Sequence, residues 1–141
     1  MYDPDPGTMM EAGKRLVEAL RKADGVIIAS PAYHGGVSGL IKNAIDYIEE
    51  MNKDARVYLD GRSFGIIACA YGYQGPGPVL AQLRQIAHAL RAWPTPLGVG
   101  VNSAVVKFSN GECSEPGIAK QIEIMAQQVT EFAIHRIAAV G

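Results

Sequence analysis

The chain of 141 residues is long enough for one domain with a sizeable core, and its net charge of −1, with no Lys/Arg-rich block, gives no electrostatic case for nucleic acid or an anionic membrane. No apolar run approaches the ~20 residues of a membrane span, and the opening Met-Tyr-Asp-Pro-Asp-Pro is not a secretory leader. Cys69 and Cys113 are too few for a disulfide framework, no Cys/His cluster has metal-ligand spacing, and a cytoplasmic protein with reduced thiols is expected.

Tyr2 to Gly7, with two prolines and two aspartates, reads as an irregular lead-in. Thr8 suits an N-cap, Glu11 completes a capping box, and Ala12, Leu16, Ala19, Leu20 and Ala23 form the stripe of a helix that Asp24-Gly25 ends. Val26 to Ala29 follows, too short for a helix and β-branched enough for a strand buried on both faces. Ser30-Pro31 stops it, since proline has no donor and pushes its predecessor toward extended geometry. The loop Pro31-Ala32-Tyr33-His34-Gly35-Gly36 leads to Val37, Leu40, Ile41, Ala44, Ile45 and Ile48 at helical spacing.

Glu49 to Gly61 reads as a polar connection with an Asp60-Gly61 turn, and Phe64 to Ala70 as a second buried strand. Tyr71-Gly72-Tyr73-Gln74-Gly75-Pro76-Gly77 comes next, and Val79, Leu80, Leu83, Ile86, Ala87 and Leu90 continue as a helix with Pro78 in its first turn. A third strand is expected around Leu97 to Val101, then a loop with an Asn110-Gly111 turn. Ile118, Ile122, Met125, Val129, Phe132 and Ile137 mark a long closing helix.

Open α/β sheets hold ligands in loops at the carboxyl ends of parallel strands. Two such loops here carry both tyrosine and glycine. Tyr33 can stack on or wall a flat ligand, His34 can donate or accept, and Gly35 and Gly36 let backbone amides approach. Tyr71, Gly72, Tyr73, Gln74 and Gly75 form the second candidate set. His88 and His135 sit on helices and read as surface or structural residues, Tyr47 and Trp93 as packing or subunit-contact residues, and Cys69 as a small apolar core residue. Cys113 has no adjacent base to make it a nucleophile.

Ser30, Pro31 and Tyr33, then Ser38, Gly39, Lys42, Asn43 and Asp46, resemble the Ser/Thr-Pro-x-Tyr segment and following helix of the NAD(P)H-dependent FMN reductase family. Tyr33-His34-Gly35-Gly36 is similar to the variant found in its quinone-reductase, azoreductase and arsenical-resistance branches. Many members carry Glu where this chain has Ala32. The resemblance spans Tyr2 to about Val101 and implies a three-layer, flavodoxin-like, doubly wound parallel α/β sheet.

It also implies an oxidoreductase using FMN and NAD(P)H. Hydride would pass from nicotinamide to flavin, and electrons onward to a quinone, azo compound, metal ion or free flavin, with no side-chain acid, base or nucleophile required. Pro31 to Gly36 would border the ring on one side and Tyr71 to Gly75 on the other, in a homodimer or homotetramer. Lys42, Asn43 and Asp46 are read as capping, surface-pairing or subunit-contact residues.

Family members carry, upstream of a segment like Tyr2-Asp3-Pro4-Asp5, a strand-helix-strand unit of roughly 30 or more residues with a Ser-rich phosphate loop. A truncated sequence or a start site placed too late is the favoured reading; a fragment that pairs through its open edge and a natural short form are the others. In each, Gly25 to Ser30 becomes an edge strand. Two rival functions remain: a non-enzymatic binding or scaffolding domain that has lost flavin, and an electron carrier, which the near-neutral charge disfavours.

Overall fold

The computed structural model of the protein describes residues 1–5, 7 and 9–140, and the expected cap Thr8 lies outside them. Helix α1 spans Glu11–Lys22, with Met10 at its N-cap position and no side-chain cap there. Its buried face centres on Gly13 and Val17, while Ala12 and Ala19 are exposed and Leu16 and Leu20 half-buried. The expected stripe is therefore turned by one residue. The cause is Tyr47, whose ring lies where a Cβ on residue 13 would stand, so the glycine that counts for nothing in a hydrophobic pattern is the deepest contact of the helix.

Strand β1 spans Gly25–Tyr33 and runs on through Pro31, beyond the expected stop. Proline is tolerated at a sheet edge, and β1 is an edge along most of its length. A tight hairpin joins it to the two-residue strand β2, Gly36–Val37, pairing Ala32 with Val37 and Tyr33 with Gly36. His34 and Gly35 both have positive φ (51° and 80°), as a two-residue hairpin loop demands.

Helix α2, Gly39–Asp46, is capped by the Ser38 hydroxyl, which accepts from the Ile41 N–H, and continues as a 3-10 turn over Tyr47–Met51. Val37 thus belongs to a strand and Leu40 is 79% exposed, so neither joins the expected helix face; Ile45 and Ile48 do. The connection to the next strand is less polar than its composition suggests, for Met51 and Leu59 are fully buried.

Strand β3, Ser63–Ala70, lies parallel to β1 in continuous register from Gly25↔Ser63 to Pro31↔Cys69. Helix α3, Pro76–Ala89, buries Pro76, Val79, Leu83 and Ala87. The other neighbour of β3 is split into β4, Trp93–Pro94, and β5, Val99–Asn102, both parallel to it. The expected third strand is β5, two residues later than predicted, and β4 was not anticipated. A hairpin of β6, Phe108–Ser109, and β7, Glu112–Cys113, turns at Asn110-Gly111 as expected. Helix α4, Pro116–Val140, closes the chain.

Three layers result. Phe64, Ile66 and Ala68 pack with α1, α3 and the 3-10 turn on one face; Val99 and Val101 pack with Met125 and Val129 of α4 on the other. Phe132 is only half-buried and Ile137 exposed, so the terminal turns of α4 leave the core. Arg62 is 2% exposed. Its guanidinium donates to the carbonyls of Arg21 (3.0 Å) and Ala23 (2.8 Å), acceptors left at the end of α1, and to that of Tyr58 (3.1 Å) in the connection to β3. Burial pulls this guanidinium below its ordinary pKa. Among the described residues no helix is long and apolar enough to cross a membrane.

Candidate functional site

Because β1 and β3 are parallel neighbours, the turns that follow them emerge side by side. The β1–β2 hairpin and the loop 71–75 between β3 and α3 enclose a cleft of about 760 Å³. Its walls are Pro31, Ala32, Tyr33, His34 and Gly35 on one side and Tyr71, Gly72, Tyr73, Gln74 and Gly75 on the other, with Cys69, Ala70 and Ser103 at the base. Of the candidate residues only Gly36 lies off the walls, held in β2.

The two loops touch. A Cβ built on Gly75 would stand 2.7 Å from the Ala70 Cβ and 3.1 Å from the Ala32 Cβ, closer than side chains tolerate, so the approach depends on glycine. Ala32, where many family members have Glu, is the small residue that Gly75 meets. Tyr33, Tyr71 and Tyr73 are 68%, 88% and 82% exposed, placing three aromatic rings at the mouth of a cleft whose base is apolar.

Hydrogen bonds from distant elements hold each wall. Buried Ser30 accepts from the Ser38 N–H (3.1 Å) and donates to the Pro31 carbonyl (2.9 Å), tying β1 to the start of α2. Gln82 on α3 accepts from the Val37 N–H and donates to the Gly35 carbonyl. Asn102, at the end of β5, accepts from the N–H groups of Gly72 (2.9 Å) and Ala104 (3.0 Å) and is 7% exposed. The Ser103 hydroxyl donates to the Ala70 carbonyl (3.2 Å). Sequence reading found Ser30 through its motif but missed Gln82, Asn102 and Ser103, which have no local signature.

The lining holds no carboxylate, lysine or arginine among the described residues. Cys69 lines the cleft instead of lying wholly in the core, and partial burial pushes its thiol pKa up. His88 and His135 are exposed on helices and take no part. Lys42 pairs with Asp46 one turn on, and Asn43 accepts from the Tyr2 N–H (2.7 Å), whose ring sets edge-on to Tyr47 at 5.1 Å. These three residues pair on the surface and anchor the lead-in, away from the cleft.

The fit of a flat heterocycle can be tested on this geometry. A glycine-walled cleft without lysine, arginine or carboxylate among its described lining, and with exposed rings at its mouth, suits a stacked ring system. A phosphate finds no cationic partner on the same walls.

Comparison with known proteins gives the same answer. Residues 1–105 match the family model for NADPH-dependent FMN reductase. The quinone reductase of Escherichia coli (strain K12) is 31% identical over 141 aligned residues, covering 94% of this chain and 70% of that one. The FMN-dependent NADPH-azoreductase of Staphylococcus aureus (strain USA300) is 32% identical over 91 residues, 64% of this chain and 45% of that one. Among solved structures, the flavoenzyme NAD(P)H:(acceptor) oxidoreductase from Paracoccus denitrificans superposes with a TM-score of 0.74 at 20% identity, over 95% of this chain and 75% of that chain. The chain spans from 22% of a Bacillus sp. NADPH azoreductase to 70% of the E. coli enzyme. With this match across its first three-quarters and the flavodoxin-like layering around its cleft, the chain belongs to the NADPH-dependent FMN reductase family.

Proposed function

We propose that this chain carries the flavin-ring site of an FMN-dependent NAD(P)H oxidoreductase that passes electrons to a small acceptor such as a quinone or azo compound. One observation carries the reading: two tyrosine- and glycine-bearing loops meet at the carboxyl ends of adjacent parallel strands and wall a cleft large enough for a tricyclic ring. Bound FMN would supply the electron chemistry, accepting reducing equivalents from the nicotinamide and releasing them to the acceptor.

The chain's own residues bind and orient. Pro31 to Gly35 wall one side of the ring position, and the Tyr71–Gly75 loop, held by Asn102, lies along the other. Tyr33, Tyr71 and Tyr73 are placed to stack on flat molecules entering the mouth and to exclude water from it. His34, held at positive φ on the hairpin tip, offers an imidazole on the cleft wall to a polar substituent of the acceptor.

A visible absorption spectrum of protein titrated with FMN tests cofactor binding, and NAD(P)H oxidation with a quinone or azo dye tests the activity. A flavin-free protein that also fails to consume NAD(P)H with added FMN favours the scaffold alternative. The location in the cytoplasm and a homodimeric or homotetrameric assembly belong to the same proposal. Gel filtration with light scattering tests the latter.

A further inference from the structure

We propose that Gln82 is a positioning residue: a clasp from α3 that fixes the separation of the two loops and thereby sets how tightly the cleft holds its ring. The inference rests on the flavin-site reading above. Its carboxamide makes two bonds to the outer side of the β1–β2 hairpin, accepting from the Val37 N–H at 3.1 Å and donating to the Gly35 carbonyl at 3.3 Å. The same helix starts at Pro76, directly after Gly75, so α3 also carries the end of the second loop. Gln82 therefore ties the first wall to the element that positions the second.

Besides the Gly75–Ala32 approach and the Ser30–Ser38 bond, β2 is held to β1 through Ala32↔Val37 and Tyr33↔Gly36, and among the described residues no further strand lies beside it. Gly35 and His34 are the two left-handed residues of the turn, and a bond to the Gly35 carbonyl restrains the tip that carries His34 and Tyr33. A carboxamide matches this pair of partners whatever the pH, because it always offers an acceptor and a donor on one rigid plane. Ionised glutamate keeps the acceptor for Val37 but turns a second oxygen toward the Gly35 carbonyl. Protonated glutamate restores the donor.

That chemistry gives a test which a merely structural role would not pass. Wild type, Gln82→Met and Gln82→Glu are compared in two measurements: amide hydrogen exchange at Val37 in the ligand-free protein, and FMN affinity by fluorescence titration from pH 4 to 8. Expected for Gln82→Met is faster Val37 exchange and FMN affinity weaker by about five- to tenfold, the effect of one or two lost hydrogen bonds. In Gln82→Glu, the ratio of variant to wild-type dissociation constants should be large at neutral pH and fall toward one as pH drops through the carboxyl value of about 4.3.

Unchanged Val37 exchange in Gln82→Met overturns the clasp, as does a Gln82→Glu ratio that is flat with pH. If no form binds FMN while Val37 exchange responds to Gln82→Met, the clasp stands, its control of ring affinity is refuted, and the flavin reading falls with it. If wild type binds FMN and Gln82→Met binds equally well, the flavin reading stands and the positioning role fails.

Discussion

The two flanks of β1 differ sharply in how far they are built. Its inner flank is paired to β3 from Gly25 to Pro31, whereas its outer flank is paired only at Ala32 and Tyr33, by the short β2. Along the rest of that outer side runs an apolar groove of about 200 Å³, lined by residues including Leu16, Leu20, Val26, Ile28, Ile41 and Ile48, and Ile27 is 47% exposed. One strand thus ends as a finished wall of the cleft and runs, over most of its length, as an open apolar edge. Such an edge is a template for another strand. On the proposed reading the difference separates two halves of cofactor recognition: the ring would be met by contacts within the described residues, while the cleft lining holds no lysine or arginine for a phosphate.

The largest effect should come from covering the open flank. Fusing a family strand-helix-strand unit with its phosphate loop ahead of Met1 is predicted to strengthen FMN binding at least about a hundredfold, since charge-assisted hydrogen bonds contribute ~1.5–3 kcal/mol each and two suffice. Fluorescence titration of both forms measures it. Equal affinity would mean that the phosphate is held elsewhere, and the contrast between the flanks would lose its functional meaning.

Next in size is an attack on the finished flank. Gly75→Ala places a methyl group against Ala70 and Ala32, and overpacking of this kind costs about 1–3 kcal/mol. The expected outcome is a lower melting temperature together with weaker FMN binding. A fall in stability with the affinity intact would show that the loops can part without harm to the site.

A smaller loss is expected from Tyr33→Ala, which removes an exposed ring at the mouth. Affinity for FMN or turnover of NAD(P)H should fall by about three- to tenfold, within the ~0.5–1.5 kcal/mol of an aromatic contact, while His88→Ala on the exposed face of α3 leaves both unchanged. Parallel losses in the two variants would indicate general destabilisation.

The mildest effect concerns Cys69. Burial raises its thiol pKa, so near pH 8 the folded protein carries less thiolate at this position than the unfolded chain does. Alkylation by iodoacetamide should be slower in the folded protein and slower again when FMN is added. Equal rates with and without FMN would place the ring away from the base of the cleft.

Much of this organisation is legible in the residues, and its limits have physical causes. Phe64–Ala70 announces a strand because a buried parallel strand must be apolar on both faces; Val26–Ala29 is a strand too, but the two-sided burial expected of it is not found, since Ile27 and Ala29 are exposed on the open flank. Asn110-Gly111 announces a turn because few residues accept positive φ. Pro31 misleads, since a proline at an edge need not end a strand, and the expected glycine-bearing loop is a two-residue hairpin at His34–Gly35, because a histidine at positive φ has no compositional signal. Leu40 was counted into a buried face from which the short helix turns it away.

What the sequence alone determined is the order of elements and the placing of tyrosine and glycine after two buried strands, because strand, turn and cap preferences act over a few neighbouring residues. The open edge of β1 and the neighbouring loops are already expected from the sequence, whereas tertiary structure alone decided that Gly75 meets Ala32 and that Gly13 makes room for Tyr47. It also brought Gln82 to a hairpin 45 residues away and Asn102 to a loop 30 residues away. Contacts at that distance along the chain arise only when packing of the layers has fixed where each backbone amide points, and no local pattern encodes that direction.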